Sequence, residues 1–345
     1  MTVIGVDSHK KTHTLVGVDD VGRKLDEHTV KATDEGHAEA LRWARSKYGA
    51  EVLWAIEDCR QVTTRLESAL LKAGQRAVRV WPRLTARTRR SARTPGKSDP
   101  IDALQVARAA LREPDLPVAF HDKASREMNL LVDRREVLVE QRTAMIFRLL
   151  WRMHELDPAR GLKGSQLTKI SHRKAVGAWL SQQSGVVAEL AGAELADIAA
   201  LSEHIDVLTK RIVHRAREVA PSLVAMPGCG ELTAAKIVGE VAVVTRFRSA
   251  DAFAAYAGVT PVPHSSGGYV RRRAPVRPGN RQLNRALHTI AQTQCRWGHA
   301  GKAYYQKRLD AGDSPTKARR ALKRRIAHAV YHRLLDDQRR SQWSA

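Results

Sequence analysis

The chain opens MTVIGVDSHKKTHTLVGVDD (residues 1–20), and the reading of this stretch decides the fold of the N-terminal part. Val3, Ile4 and Val6 form an apolar run that ends on a carboxylate, Asp7. After the polar SHKKTH turn, a second apolar run from Leu15 to Val18 reads as an antiparallel partner strand. An acid one step past a buried strand's apolar residues stands at a sheet edge. Working outward, a third strand-like segment runs from Gly22 to Val30. An amphipathic helix follows from Glu35 to Tyr48, with Ala38, Leu41 and Ala44 on one face. The opening pattern then repeats in EVLWAIED (51–58), where Val52, Leu53, Ala55 and Ile56 lead to Glu57, with Asp58 as the alternative acid. A helix from Thr63 to Ala73 is stopped by Gly74, and a fifth strand runs from Ala77 to Trp81.

KSDPIDALQVARAAL (97–111) reads as a helix with Ser98 or Asp99 as N-cap and Pro100 in its first turn. Asp99 and Asp102 are three residues apart and share one face of that turn. The expected order is three strands, helix, strand, helix, strand, helix. With its acids at the first strand, the end of the fourth and the last helix, this order resembles the ribonuclease-H-like fold of the RuvC resolvase type. Asp7, Glu57, Asp99 and Asp102 make a D-E-D-D set. Two Mg²⁺ ions on one phosphate require several converging oxygens and little else from a protein. Any one acid alone reads as a solvated strand end or a charge favoured by a helix dipole. Four in this order favour a metal site.

Charge points the same way. Lys and Arg number 59 against 36 acids, a net charge of +23, with a pI near 10.5 and a mean hydropathy of −0.39. A chain this basic is expected to meet a polyanion, with nucleic acid the first choice. No long apolar span and no signal peptide are present in the sequence, so no membrane partner is expected and a cytoplasmic, nucleoid-associated location is. Cys59, Cys229 and Cys295 are far apart without paired metal spacing, which fits a reducing compartment and speaks against a zinc module. The 14 histidines show no ligand pattern and read as surface or core residues.

Between the fifth strand and the acidic pair lies RAVRVWPRLTARTRRSARTPGK (76–97), with seven arginines, one lysine and no acid. A basic loop leading into a phosphate-cutting centre makes Arg83, Arg87, Arg89, Arg90 and Arg93 candidate phosphate contacts. From Ala124 to Leu156 a charged helical pattern keeps Met128, Leu131, Leu138, Met145 and Leu149 at heptad-like spacing, with Arg135 and Arg142 intruding. From Val186 to Val224, Ile198, Ile205, Ile212 and Val219 recur every seven residues, with Leu201 and Leu208 at the other seam position. This pattern reads either as a coiled-coil seam, paired with the 124–156 helix or with another subunit, or as one helix of an ordinary bundle. MPGCGELTAAKIVGEV (226–241) resembles the Gly-rich turn of helix-hairpin-helix DNA-binding proteins, whose backbone N–H groups face a phosphate.

Ala252 to Leu309 contains no acid and ten Lys or Arg. Within it Ser265 and Ser266 precede Gly267 and Gly268, and Arg271, Arg272 and Arg273 follow, then Arg277 and Arg281. Composition alone reads this as a flexible turn in a phosphate-binding surface; the sharper reading is a nucleophile among cations that stabilise a pentavalent phosphorus. His264 adjoins Ser265 too closely to form a diagnostic Ser-His-Asp set.

Taken together, IGVDSHKKTH, AIED, KSDPIDA, MPGCGELTA and AYAGVTPVPHSSGG…RPGNRQLNRAL resemble the DEDD-type insertion-sequence transposases, the bridge-RNA-guided recombinases of bacterial mobile elements. The resemblance spans the chain from both ends and implies three parts. These are a RuvC-like catalytic domain (1–122), a helical coiled-coil arm (123–222) and a mostly helical C-terminal transposase domain (223–345). It implies metal-binding acids at Asp7, Glu57, Asp99 and Asp102, with Mg²⁺ as cofactor and Mn²⁺ as a substitute. It implies a serine that attacks DNA, falling on Ser266 with Ser265 in reserve. Donor and target DNA, a guide RNA and a homo-oligomer, dimer or tetramer, follow as partners. With the two motifs far apart in sequence, a composite site completed in trans is expected. The rival readings are a RuvC-like structure-specific nuclease using water and a non-catalytic DNA-binding protein. Only 5% of residues are aromatic, so RNA held by its backbone through arginines is expected over aromatic stacking.

Overall fold

The computed structural model describes residues 1–57, 60–81, 84–85, 98–113, 116, 118–119, 122–266, 269–275, 279–297 and 300–343; for 60–61, 261–266, 269–275 and 341–343 the backbone alone is described. The chain divides into two compact units, Met1–His121 with Thr245–Phe247, and Asp122–Val244 with Arg248–Ala345.

The first unit contains β1 (Thr2–Ser8), β2 (Thr12–Val18), β3 (Lys24–Lys31), α1 (Asp34–Tyr48), β4 (Val52–Glu57), α2 (Arg60–Lys72), β5 (Arg76–Val80) and α3 (Asp99–Arg112). The strands form one sheet in the order β3-β2-β1-β4-β5. The β1-β2 and β2-β3 pairs are antiparallel, while β1-β4 and β4-β5 are parallel. This mixed order fits the ribonuclease-H-like arrangement that the sequence resembles. Strand alternation sorts the core into two layers. Ile4, Val6, Leu15, Trp54 and Ile56 pack with Ala40 and Ala44 of α1 and Leu66 and Leu70 of α2. Val3, Val16, Val18, Ala55, Val78 and Val80 pack with Ala103, Val106 and Ala107 of α3. Arg79 leaves the phosphate-facing stretch expected of 76–97: it is buried and donates to Glu67 Oε1 (3.2 Å) and Oε2 (2.6 Å).

Two histidines sit in the α1 layer. His13 of β2 and His37 of α1 are both buried, with their Nε2 atoms 3.3 Å apart and their rings stacked at 5.3 Å. One neutral imidazole donates and the other accepts; a proton added to the accepting nitrogen removes that bond. Burial, with His37 and His9 nearby, pushes the His13 imidazole down from 6.5 to about 4. Between those two values the unfolded chain binds the proton and the native chain does not, so stability falls with acid across that window. The loss is expected to reach about 3 kcal/mol at pH 4. Urea midpoints measured from pH 7 to 4 check it, and His13→Leu should flatten the decline.

In the second unit, α4 (Lys123–Leu156) and α6 (Val186–Val219) run antiparallel: Glu127 meets Arg211, Arg135 meets Thr209, Arg142 meets Ser202 and Arg152 meets Glu194. The seam helix read from sequence therefore pairs within its own chain. The intruding arginines are accommodated because Thr209 and Ser202, one heptad apart, accept from Arg135 Nε (2.7 Å) and Arg142 Nη1 (3.3 Å). A helix missed in the sequence, α5 (Ile170–Leu180), packs Val176 and Leu180 onto Leu149, Met153 and Leu195. Past the short α7 (Pro221–Val224), α8 (Glu231–Val241) packs on both long helices. Asp337 caps α7 by accepting from the backbone N–H groups of Ser222 and Leu223. The remainder is α9 (Ala250–Tyr256), a β6 (Pro261–Ser266) and β7 (Tyr269–Pro275) hairpin, α10 (Arg281–Arg296), α11 (Ala300–Asp310) and α12 (Pro315–Trp343), on which Asp337 lies. Among the described residues no helix is long and apolar enough to cross a membrane.

Candidate active site

β1 and β4 are neighbours in parallel register, with Val6 opposite Ile56, so Asp7 and Glu57 come one step later at the same end of the sheet. Their alternation partners Val3 and Ala55 lie in the α3 layer, which places both acids on the α3 side. The helix approaches β1 very closely. A Cβ at Gly5 would stand 2.0 Å from Ala103 O and 2.6 Å from Ala107 N, so only glycine permits this contact. The docked helix presents Asp99 and Asp102 in its first turn, after Ser98 and beside Pro100.

His9 joins the acids. Its Nε2 is 3.0 Å from Asp7 Oδ2 and 3.5 Å from Asp99 Oδ1. One donor atom from each of Asp7, His9 and Asp99 lies within 4.8 Å of the others, the group of this kind found among the described residues. Asp7 is 7% exposed. Burial raises its carboxyl pKa, His9 works against that, and the charges of Asp102 and Asp99 raise it further. Glu57 accepts a hydrogen bond from Thr85 Oγ1 at 2.9 Å. The structure thus brings Asp7 and Asp99 together through His9, sets Asp102 near enough for its charge to act on Asp7, and places Glu57 beside Asp7 by register. Clustered carboxylate oxygens with one imidazole suit a divalent cation, and the negative charge gathered around a buried acid favours one. His9, read with the other histidines as a surface or core residue, is exposed and also stands beside two of the acids named from sequence.

Helix α3 makes Gly5 a test of this geometry. Gly5→Val is expected to cost about 3 kcal/mol or more, because its side chain meets helix backbone that cannot rotate away. It should also move Asp99 and Asp102 away from Asp7. Urea unfolding measures the first effect and metal titration of the folded fraction the second.

The serines stand elsewhere in the chain, at the end of β6 in the two-stranded β6–β7 sheet; Gly267 and Gly268, on which the flexible-turn reading rests, lie outside the described residues. Ser265 pairs with Val270, Ser266 with Tyr269 and His264 with Arg271. Aromatic Tyr269 and β-branched Val270 open the second strand, residue types that suit a pleated surface. The root of the hairpin is tightly tied. Asn280 N donates to Tyr256 O (2.8 Å), and Asn284 Nδ2 donates to Ala257 O (2.8 Å) and Gly258 O (3.2 Å). Lys323 Nζ holds Asn284 Oδ1 at 2.7 Å. A Cβ on Gly279 would lie 2.6 Å from Gly258 Cα, so the two chain segments cross backbone to backbone. Arg271, Arg272 and Arg273 lie on β7, and Arg281 is exposed in the first turn of α10. Asp58, Arg83, Arg87, Arg89, Arg90, Arg93 and Arg277 lie outside the described residues.

Comparison with known proteins bears on both ends of the chain. A family model for transposases of the DEDD, IS110 type matches residues 4–156. A second, described as transposase IS116/IS110/IS902 family, matches residues 220–306. The insertion element IS900 uncharacterized 42 kDa protein of Mycobacterium paratuberculosis is 29% identical, over 95% of this chain and 96% of that protein. The insertion element IS116 uncharacterized 44.8 kDa protein of Streptomyces clavuligerus is 25% identical over 96% and 94%. The structure of T. thermophilus RuvC in complex with a Holliday junction substrate aligns at 16% identity, covering 34% of this chain and 99% of that one, with a TM-score of 0.27. With one family model on the acid-bearing unit and the other on the stretch that carries the serines, the chain belongs to the DEDD-type transposases of the IS110 insertion-sequence family.

Proposed function

We propose that this protein cuts and rejoins DNA for an insertion sequence, using a divalent cation held by Asp7, Glu57, Asp99 and Asp102 and a serine nucleophile, Ser266 with Ser265 in reserve. The observation that carries this reading is the gathering of Asp7, Asp99 and Asp102, with Glu57 in register, at one end of the sheet. Mg²⁺, with Mn²⁺ as substitute, supplies Lewis-acid stabilisation of charge on the scissile phosphate. The residues of the chain do the rest. Asp7 and Glu57 hold fixed positions on paired strands, and Asp99 and Asp102 are set by a helix docked on glycine. Ser266 offers its hydroxyl from a hairpin whose root is tied, and Arg271, Arg272 and Arg273 on the same hairpin supply positive charge for the phosphorane.

Donor and target DNA are the substrates, guided by a bridge RNA held through its backbone by arginines. The enzyme works as a homo-oligomer, dimer or tetramer, in which the acids of one subunit and the serine of another complete each site. Its place is the bacterial cytoplasm, on the nucleoid. Nucleic acid extracted from the purified protein should contain one defined RNA; its absence would remove the guide. Incubation with Mg²⁺ and a labelled suicide substrate should leave protein covalently joined to DNA. Hydrolysed ends without such a species would favour the water-using nuclease, and binding without cleavage would favour the non-catalytic protein.

The arginines give a separate prediction. Neutralising Arg271, Arg272 and Arg273 together is expected to lower the slope of log affinity against log salt by roughly 3, at about 0.9 per phosphate contact. Fluorescence anisotropy on duplex DNA across a salt series measures it. An unchanged slope would move these residues off the interface.

A further inference from the structure

We infer that His9 is a metal ligand, and that its Nε2 atom, with Asp7 Oδ2 and Asp99 Oδ1, makes a mixed nitrogen–oxygen site that prefers Mn²⁺ to Mg²⁺. The inference rests on the acidic cluster being a metal site, and adds a residue and a selectivity to it. Three features of the structure carry it.

The first is spacing. Two donors at right angles around a six-coordinate ion, each about 2.1 Å away, lie about 3.0 Å from one another. His9 Nε2 is hydrogen-bonded to Asp7 Oδ2 at 3.0 Å and stands 3.5 Å from Asp99 Oδ1, separations near those of neighbouring ligands, so an ion would take the place of the proton shared between imidazole and carboxylate. The second is anchoring. His9 N donates to Thr12 O at 2.9 Å, closing the turn between β1 and β2, and Ala32 N donates to Lys11 O at 2.8 Å in the same turn. The residue is therefore held by the hairpin that carries Asp7. The third is exposure. Asp7 is enclosed while the His9 side chain is 51% exposed, so the imidazole lies on the open side of the cluster, where an ion exchanging with water would meet it.

The donor set then fixes the preference. Mg²⁺ takes oxygen ligands and keeps its waters, whereas imidazole nitrogen suits first-row transition ions, among which Mn²⁺ also tolerates carboxylates. An all-carboxylate set has no reason to discriminate this way. A histidine that served only as a counter-cation would compete with the ion, and its removal would tighten binding.

Calorimetric titration of metal-stripped full-length protein with MnCl₂ and with MgCl₂ separates these cases, with pulsed electron spin resonance of the bound Mn²⁺ as a second readout. The half-exposed position of His9 lets His9→Ala fold, which thermal unfolding checks. His9→Ala is expected to weaken Mn²⁺ binding by about tenfold or more and to change Mg²⁺ binding far less. The imidazole nitrogen coupling to Mn²⁺ should disappear with it. His9→Asp should retain Mg²⁺ binding and lose the Mn²⁺ preference. Equal or tighter Mn²⁺ binding by His9→Ala, or no nitrogen coupling in the wild-type protein, overturns the assignment while leaving the acidic site intact. Wild-type protein that binds neither ion, or binds both as well after Asp7→Asn, overturns the metal site and the assignment with it.

Discussion

Strand cleavage is expected to fall on the order of 10³-fold when Asp102 is replaced by asparagine, with the fold and DNA affinity unchanged. The substitution keeps shape and volume and removes one charge. Asp102 stands in the first turn of α3, one helical step from Asp99, and its charge already acts on the Asp7 carboxyl. With asparagine in its place that acid loses a like-charged neighbour, which relaxes part of the upward shift of its pKa, and the site loses an anionic oxygen. Charge stabilisation by a bound cation contributes several kcal/mol to a phosphate displacement, and about 4 kcal/mol is roughly three decades in rate. Single-turnover cleavage at ordinary Mg²⁺, beside a thermal unfolding curve and a binding isotherm, measures all three quantities. Full activity in this variant would take Asp102 out of the site.

The second large effect is all-or-none. Ser266→Ala should abolish both recombination and the covalent protein–DNA species while leaving binding intact. A serine hydroxyl at its ordinary pKa is a poor nucleophile, so its reactivity depends on nearby positive charge and on the cation held by the acids. Alanine removes the attacking oxygen and a single polar atom, which a hairpin fixed at its root tolerates. Denaturing gels of suicide-substrate reactions read the adduct directly. If Ser266→Ala still recombines, Ser265→Ala is the next variant, and if both serines prove dispensable the chemistry belongs to water or to DNA ends.

Much of the first unit could be read from residues alone because its strands are buried. A strand covered on both faces must be apolar throughout, and VIGV and VLWAI announce themselves; β1 ends one residue past Asp7, on Ser8, and β4 ends on Glu57 itself. Ser98 and Pro100 marked the start of α3, where Ser98 takes the extended N-cap backbone without a side-chain cap hydrogen bond and Pro100 fits the first turn. Three things escaped. The hairpin partner of α6 was open, since a heptad pattern specifies a seam and not whose helix fills it; Arg135 and Arg142 found Thr209 and Ser202 in the same chain. The β6–β7 pairing was hidden because serines and glycines hold no strand period. His9 was lost among the other histidines, because what distinguishes it is a contact with Asp99, ninety residues away in sequence.

The close seat of α3 on Gly5 has a consequence for when the enzyme comes into being. Asp7 is made with the first strand of the sheet, and Asp99 and Asp102 emerge only after every strand of the sheet has been made. Their helix can settle only on a finished β1, because its backbone rests against that strand where there is no side chain. A chain that stops short of α3 therefore carries Asp7 and Glu57 without the site. On the proposed function, the capacity to cut DNA therefore waits until α3 has docked on β1.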